Sequence, residues 1–369
     1  MAPTLRAFRI PDGSWLFVDG NGSFVDAVAH QLDPYVPHPN GGDAPLLTIR
    51  ERTERPSLRE LQNLAGDGWM TGSDGDHLFI VAEGRTCSVP DGNGLMEVES
   101  GFPTRRLMSV VRPALQLALL ERGTSVLHAA CVEVDGRAVL VAGWSESGKT
   151  ETALALVERG ASFLSDKWTL LLPGARAGAF PIGVGIRRWV LQYLPQLRSG
   201  LPRSARTQLR AAAVVSAATA PIRGRSWRGP LGLAAEVTRR AVELGDRAGL
   251  SPTQVRAAYG DTQDPMRIPP IGLIAVLRNS RSAEVVVEDG NAARLAIRLA
   301  VSAATEREPF MALRRRAAYA EALPPTTADI VARDAAAIEP VIAGVPLVEV
   351  TAPFPTDPRE VAREIAARL

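Results

Sequence analysis

Eight consecutive residues constrain this chain more than any others: Gly143, Trp144, Ser145, Glu146, Ser147, Gly148, Lys149 and Thr150. They fit the pattern G-x-x-x-x-G-K-[ST], in which small residues let successive backbone N–H groups turn inward around phosphate oxygens. The pattern alone recurs in unrelated chains, so its setting decides its meaning. The residues before it, 137–142, form an apolar run that follows an Asp135-Gly136 turn, and 126–134 before that turn is a second run. Two such runs joined by Asp-Gly are a strong hairpin signal. After the pattern, 150–159 has helix-forming composition and stops at Gly160, and 162–164 reads as a strand leading to Ser165 and Asp166. The order strand, loop, helix, strand predicts an α/β core with a mixed sheet, the following helix adding its positive N-terminal end to the loop.

The loop prescribes a division of labour. Gly143, Ser145, Glu146, Ser147, Gly148, Lys149 and Thr150 would bind the nucleotide. Lys149 would reach the β and γ phosphates of ATP, and the Thr150 hydroxyl would coordinate the Mg2+ that bridges them. Glu151 follows on the first helical turn, where it serves either the metal or simply the helix dipole. Asp166 stands at the end of the next strand, where α/β sheets place catalytic groups; it either accepts the proton of an attacking hydroxyl or holds the magnesium. His128 lies in the apolar run that pairs with the strand entering the loop; a lone histidine there is either a satisfied core residue or a catalytic group.

Lysine usage adds a candidate. Lys149 and Lys167 are the only lysines among 42 basic residues, the rest being arginine. Where arginine serves wherever a cation is needed, lysine survives where a compact, flexible ammonium is required. Lys167 therefore joins the catalytic candidates, neutralising a phosphate or pairing with Glu151; the plainer reading is a surface lysine.

The remaining composition excludes more than it assigns. With 46% hydrophobic and 22% charged residues the chain has the profile of a globular protein. No stretch approaches the roughly 18 to 20 apolar residues of a membrane span and the first 20 residues lack a signal-peptide order, so no membrane partner and a cytoplasmic location are expected. The net charge of +2 argues for no nucleic-acid partner. Cys87 and Cys131, far apart in sequence, support neither a disulfide framework nor a zinc site.

Two units are expected. Residues 1–104 carry short apolar runs separated by Asp-Gly, Asn-Gly and Gly-Gly pairs, which predicts a β-rich N-terminal domain. A helical pattern over 105–121, stopped by Gly123, opens the second unit, 105–369; Pro113 either kinks this helix or delays its start. Within it, about 195–265 is rich in arginine and alanine, has helical periodicity over 233–248 and contains the basic run 223–228, which predicts a helical insertion. Strands follow at 271–277 and 346–350, and Asp357, Pro358 and Glu360 make a helix start.

Several of these residues together resemble the HPr kinase family: Val126, Leu127 and His128; Gly143 through Gly148, Lys149, Thr150, Glu151, Thr152, Ala153 and Leu154; Glu158, Arg159 and Gly160; and Leu164, Ser165 and Asp166. The match covers roughly 40 residues, and the combination is far more specific than the loop alone. The resemblance implies a P-loop HPr-kinase-like core in which Asp166 is the general base, His128 supports it, and Thr150 and Glu151 serve the metal. It also implies a homo-oligomer. The chain departs from the family pattern in two places. Lys167 stands where the family has a second aspartate, and no I-R-G-L-G-type signature follows; 181–188 comes nearest. The overall arrangement is similar to divergent HPr-kinase-like proteins of actinobacterial type, some of which phosphorylate serine on biosynthetic precursor peptides such as lasso peptides. The expected activity is ATP-dependent phosphorylation of a hydroxyl on a peptide or small protein. A small-molecule hydroxyl, a nucleotide-binding regulator without transfer, and a phosphoenolpyruvate-carboxykinase-like enzyme remain open. Arginines can bind acidic groups bidentately, which makes the arginine-rich interval, and Arg187 and Arg188, candidates for contact with acceptor or phosphate.

Overall fold

A computed structural model describes residues 4–39, 41–42, 44–58, 60–63, 68–90, 94–223, 246–281, 284–317, 325–353 and 355–369. The architecture is mixed α/β, and its centre is a six-stranded sheet ordered Ser162–Ser165, Ala129–Val134, Arg137–Gly143, Ile271–Ser280, Leu347–Pro353 and Val286–Asp289. The three middle strands run parallel, while both flanks are antiparallel. Alternation in Arg137–Gly143 explains why helices cover both faces. Val139 and Val141 point into one core with Ala153 to Val157 of helix Lys149–Glu158 and with Val361, Ala362 and Ile365 of helix Pro358–Ala366. Ala138, Leu140 and Ala142 point into the other, with Leu295, Leu299 and Ala300 of helix Ala292–Ala317 and Ile338 and Ile342 of helix Thr327–Ile342. Successive strand side chains face opposite sides, so a run apolar at every position must be buried twice.

The expected hairpin is present: Val134 pairs with Arg137 across Asp135 and Gly136, whose φ values of 48° and 76° are what a tight I′ turn demands. The run 126–134 is, however, not one strand. Ser125–Leu127 belongs to a separate three-stranded sheet with Thr169–Leu172 and Arg176–Ala179, and only Ala129–Val134 joins the central sheet. The neighbouring chain does the same: Ser162–Ser165 pairs with the central sheet and Thr169–Leu172 with the smaller one. Two antiparallel neighbours thus change sheets side by side, and His128 on one and Asp166, Lys167 and Trp168 on the other occupy the crossings. The second crossing is a tight turn in which the Trp168 N–H donates to the Asp166 carbonyl at 2.6 Å, with Lys167 at φ 60° between them.

Residues Thr4 to Glu99 contribute the described strands of a nine-stranded sheet, against which helix Thr104–Glu121 packs with Pro113 in its interior. Phe8, Ile49, Ile80 and Met96 of this sheet share one apolar cluster with Leu107, Val110 and Val111 of the helix, with Trp168 and Leu170, and with Phe310 and Met311 of Ala292–Ala317.

The interval 195–265 is mixed among its described residues. Pro195–Gly200, Arg203–Arg223 and Pro252–Ala258 are helical, but Arg247–Leu250 is a strand paired antiparallel to Val184–Arg187, which corrects the helix expected up to residue 248. Burial explains the difference: Ala248 and Leu250 face the core while Arg247 and Gly249 are exposed, a period of two. The rest of that expected helix, 233–245, and residues 224–228 of the basic run lie outside the described residues. Among the described residues no helix is long and apolar enough to cross a membrane. Both cysteines are buried free thiols.

Candidate functional site

Strand Arg137–Gly143 delivers the loop to the C-terminal end of the parallel strands. Gly143 is required there: at φ 145°, a Cβ would stand 2.7 Å from both the Leu277 carbonyl oxygen and the Ser147 hydroxyl. Gly148, at φ 89°, turns the chain into helix Lys149–Glu158, and Glu146 at φ 63° shapes the outer bend. These are positions where a left-handed backbone favours glycine or costs strain.

The loop borders a cavity of about 460 Å³ whose wall includes Ser145 to Thr152, His128, Asp166, Lys167 and Glu306. The sequence candidates are therefore brought together: His128, Gly148, Lys149, Thr150, Glu151, Asp166, Lys167 and the loop residues Ser145, Glu146 and Ser147 meet in one space. Gly143 lies at its root beneath Ser147 rather than on the wall.

Lys149 is buried and its Nζ donates to the carbonyls of Gly143 at 3.0 Å and Trp144 at 2.6 Å. Burial pulls its pKa down to about 8, against the upward pull of Asp166, Glu306 and Glu151. The Thr150 hydroxyl donates to Asp166 Oδ1 at 2.7 Å. Asp166 is 3% exposed, and burial, with Glu151 adding to it, pushes its carboxyl above the ordinary value in spite of the Thr150 hydrogen bond and the Lys149 charge. Among the described residues the buried Ser147 hydroxyl has no hydrogen-bond partner.

His128 meets helix Ala292–Ala317 through both ring nitrogens. Its Nδ1 lies 2.9 Å from the Ser302 hydroxyl, which itself donates to the Gly143 carbonyl at 3.3 Å. Nε2, on the other side of the ring, lies 4.0 Å from Glu306 Oε1. Burial, then the charge of Lys149, lowers the imidazole pKa to about 3, so it is neutral. Lys167 donates to Glu306 Oε2 at 2.9 Å. This corrects the alternative in which Lys167 pairs with Glu151: the turn at φ 60° points the ammonium at helix Ala292–Ala317. Burial alone would raise the Glu306 carboxyl, but the Lys167 hydrogen bond and charge, with Lys149 adding to them, outweigh it and hold it below its ordinary value.

Ser302 and Glu306 escaped sequence reasoning. They sit at i and i+4 on one helix face, more than 130 residues beyond the loop, and the only available signal was two polar residues on a stripe otherwise formed by Leu295, Leu299 and Ala303. Trp189, Asn279 and Arg247 also line the cavity. Of the two adjacent arginines, Arg187 lines it and donates to Glu146 Oε1 at 2.9 Å, while Arg188 turns away to Asp246 at 2.7 Å.

Among the described residues no cluster of three or more His, Cys, Asp or Glu forms a metal cage. Thr150, Glu151 and Asp166 offer a hydroxyl and two carboxylates. That donor set fits Mg2+, which keeps several waters and takes one or two carboxylates together with phosphate oxygens.

Among curated proteins, the chain is similar in part to several HPr kinase/phosphorylases. That of Lacticaseibacillus casei (strain BL23) is 42% identical over 67 residues, which is 18% of this chain and 20% of the relative. That of Lactobacillus delbrueckii subsp. bulgaricus is 46% identical over 67 residues, 18% and 21% of the two chains. That of Pediococcus pentosaceus is 40% identical over 93 residues, 24% and 29% of the two. The aligned segment thus spans between a fifth and three tenths of these relatives' length. No protein-family model matches the chain. The relationship to HPr kinases is distant and partial.

Proposed function

We propose that the chain is a kinase that transfers the γ-phosphoryl group of ATP, with Mg2+, to a hydroxyl, in the first instance a serine of a peptide or small protein such as a biosynthetic precursor. The observation that carries this reading is the Thr150 hydroxyl bonded at 2.7 Å to the buried Asp166 carboxylate in the cavity that Lys149 enters. In this reading Gly143–Gly148 is a P-loop and Ser145 to Thr150 hold the phosphates with backbone N–H groups and the Ser147 hydroxyl. Lys149 leaves the Gly143 and Trp144 carbonyls for the β and γ oxygens, and the phosphate charge returns its pKa upward. Magnesium, held from the side of Thr150, Glu151 and Asp166, would neutralise charge on the transferred group.

Asp166 takes the proton as the acceptor oxygen forms its bond to phosphorus and the bond to the ADP oxygen breaks. His128, neutral and hydrogen-bonded to Ser302, positions the acceptor side of the cavity, and Glu306 orients Lys167 toward the same space. The division into units 1–104 and 105–369 belongs to this reading and is supported by the nine-stranded sheet ending at Glu99. A small-molecule hydroxyl is the second reading, favoured by a cavity of about 460 Å³, a common size for metabolite sites.

The test is incubation of the protein with magnesium, γ-labelled ATP and a size-fractionated extract of the source organism, with Asp166→Asn alongside. Label in a peptide fraction that the variant does not produce is the expected result. Label in the metabolite fraction moves the acceptor to the second reading. ATP binding with no Asp166-dependent label anywhere refutes phosphotransfer.

A further inference from the structure

Part of the cavity wall is the two-stranded ribbon Val184–Arg187 with Arg247–Leu250, and three of its features lie outside the loop and the strand ends already described. Arg187 and Arg247 are directly opposite each other in register, and both line the cavity. Like charges in directly opposed cross-strand positions weaken the pairing that holds them, so the ribbon carries a cost that an anion between the guanidiniums would remove. Gly185 lies beneath the Arg247 side chain, where a Cβ would overlap the guanidinium; only glycine lets that group lie flat on the wall. Finally, neither guanidinium is firmly engaged. Among the described residues no ion pair forms on Arg247, and Arg187 reaches only Glu146, a contact in which the two side chains are 46% and 73% exposed. Exposed pairs of this kind contribute little and yield readily to a better partner.

We propose that Arg187 and Arg247 form a clamp for a carboxylate of the acceptor, so that the acceptor is an acidic peptide segment with its hydroxyl residue beside a glutamate or aspartate. Two planar guanidiniums match a carboxylate bidentately in a way that ammonium groups cannot. Trp189, two residues beyond Arg187, and Pro353 line the same cavity and supply apolar surface for the peptide backbone. Displacing Glu146 from Arg187 on binding would connect acceptor arrival to the outer bend of the loop. This inference rests on the kinase reading for its purpose but not for its binding site.

The test compares two heptapeptides centred on serine, one flanked by glutamates and the other by glutamines. Each is titrated calorimetrically into the protein with magnesium and a non-hydrolysable ATP analogue. The glutamate peptide is expected to bind about 10-fold more tightly or better, and Arg247→Gln and Arg187→Gln each to remove that preference, as loss of a charge-assisted hydrogen bond does. Gly185→Ala, which leaves the ribbon backbone intact and pushes the Arg247 guanidinium off the wall, is expected to act like Arg247→Gln. For Arg247→Gln and Gly185→Ala, affinity for the analogue should stay within about twofold, the behaviour of independent sites. Equal binding of the two peptides, binding of neither, or a preference that survives all three substitutions overturns the clamp. Loss of analogue affinity with peptide binding unchanged also overturns it and assigns the guanidiniums to the nucleotide. Arginine-dependent binding of the glutamate peptide by a protein that binds no analogue sinks the kinase reading and leaves the clamp standing.

Discussion

At the residue scale, three ionisable groups carry distinct expectations. Asp166 is a buried carboxylate whose pKa is raised, so its charged form costs stability at neutral pH. Replacing it with asparagine should therefore leave the melting temperature equal or higher while phosphotransfer falls about 100-fold or more, as for the loss of a general base. A melting temperature well below that of the parent would mean that the side chain is structural. Lys149, held to about 8 by burial, is charged below that pH, and in the proposed reading a bound phosphate would keep it charged. Affinity for an ATP analogue should accordingly fall as pH rises above about 8, and the decline should vanish in Lys149→Met along with most of the affinity. His128 titrates near 3 in the fold but near 6.5 unfolded. As pH falls through that window the unfolded chain takes the proton first, so the stability contributed by the neutral ring is complete above about 6.5 and is lost towards 3. A melting curve measured against pH should show this acid loss, and His128→Gln should flatten it.

At the scale of elements, the site depends on where strands end. The central strand ends at Gly143, where a side chain would collide with the backbone of the adjacent parallel strand, Ile271–Ser280. Gly143→Ala combines that collision with an unfavourable φ, and strain of this kind costs about 1–3 kcal/mol. The expected outcome is a folded protein with nucleotide-analogue affinity reduced about 10-fold; unchanged affinity would show that the loop tolerates a shift. The two sheet crossings explain why catalytic candidates cluster. Residues between paired segments have left one ladder without joining the next, so their side chains are free to face the cavity. The hairpin, the loop and helix Lys149–Glu158 were all legible as local patterns because turn chemistry, apolar alternation and a closing glycine agree there. The break at His128 was not, because nothing in an unbroken apolar run marks a change of neighbour.

At the scale of the molecule, the nine-stranded sheet and helix Ala292–Ala317 are joined through one apolar cluster that includes Phe310 and Met311. The same helix carries Ser302 and Glu306 into the site. Phe310→Ala should cost about 3–5 kcal/mol, a typical value for a buried phenylalanine, and should do so in a single unfolding transition followed by circular dichroism. Two separated transitions, with only one of them shifted, would show that the units fold independently. By the same logic a fragment beginning at residue 105 exposes Leu107, Val110 and Val111 and should aggregate or melt well below the full chain.

By itself the sequence determined the loop, the helix that follows it, the turn before it, and Lys149, Thr150 and Asp166 as candidates, which the structure brings into one cavity. Each of these rests on interactions spanning few residues: a dihedral only glycine adopts easily, a hydroxyl next to a lysine, a strand end a few positions on. Only the tertiary structure decided that Lys167 faces Glu306 rather than Glu151, that His128 is hydrogen-bonded to Ser302, that Arg187 enters the cavity while Arg188 leaves it, and that Arg247 lies opposite Arg187. The physical reason is the same in each case. These partners come from segments between about 40 and 175 residues apart, and which of them meet is set by how the strands are ordered and by the packing of both faces of the sheet.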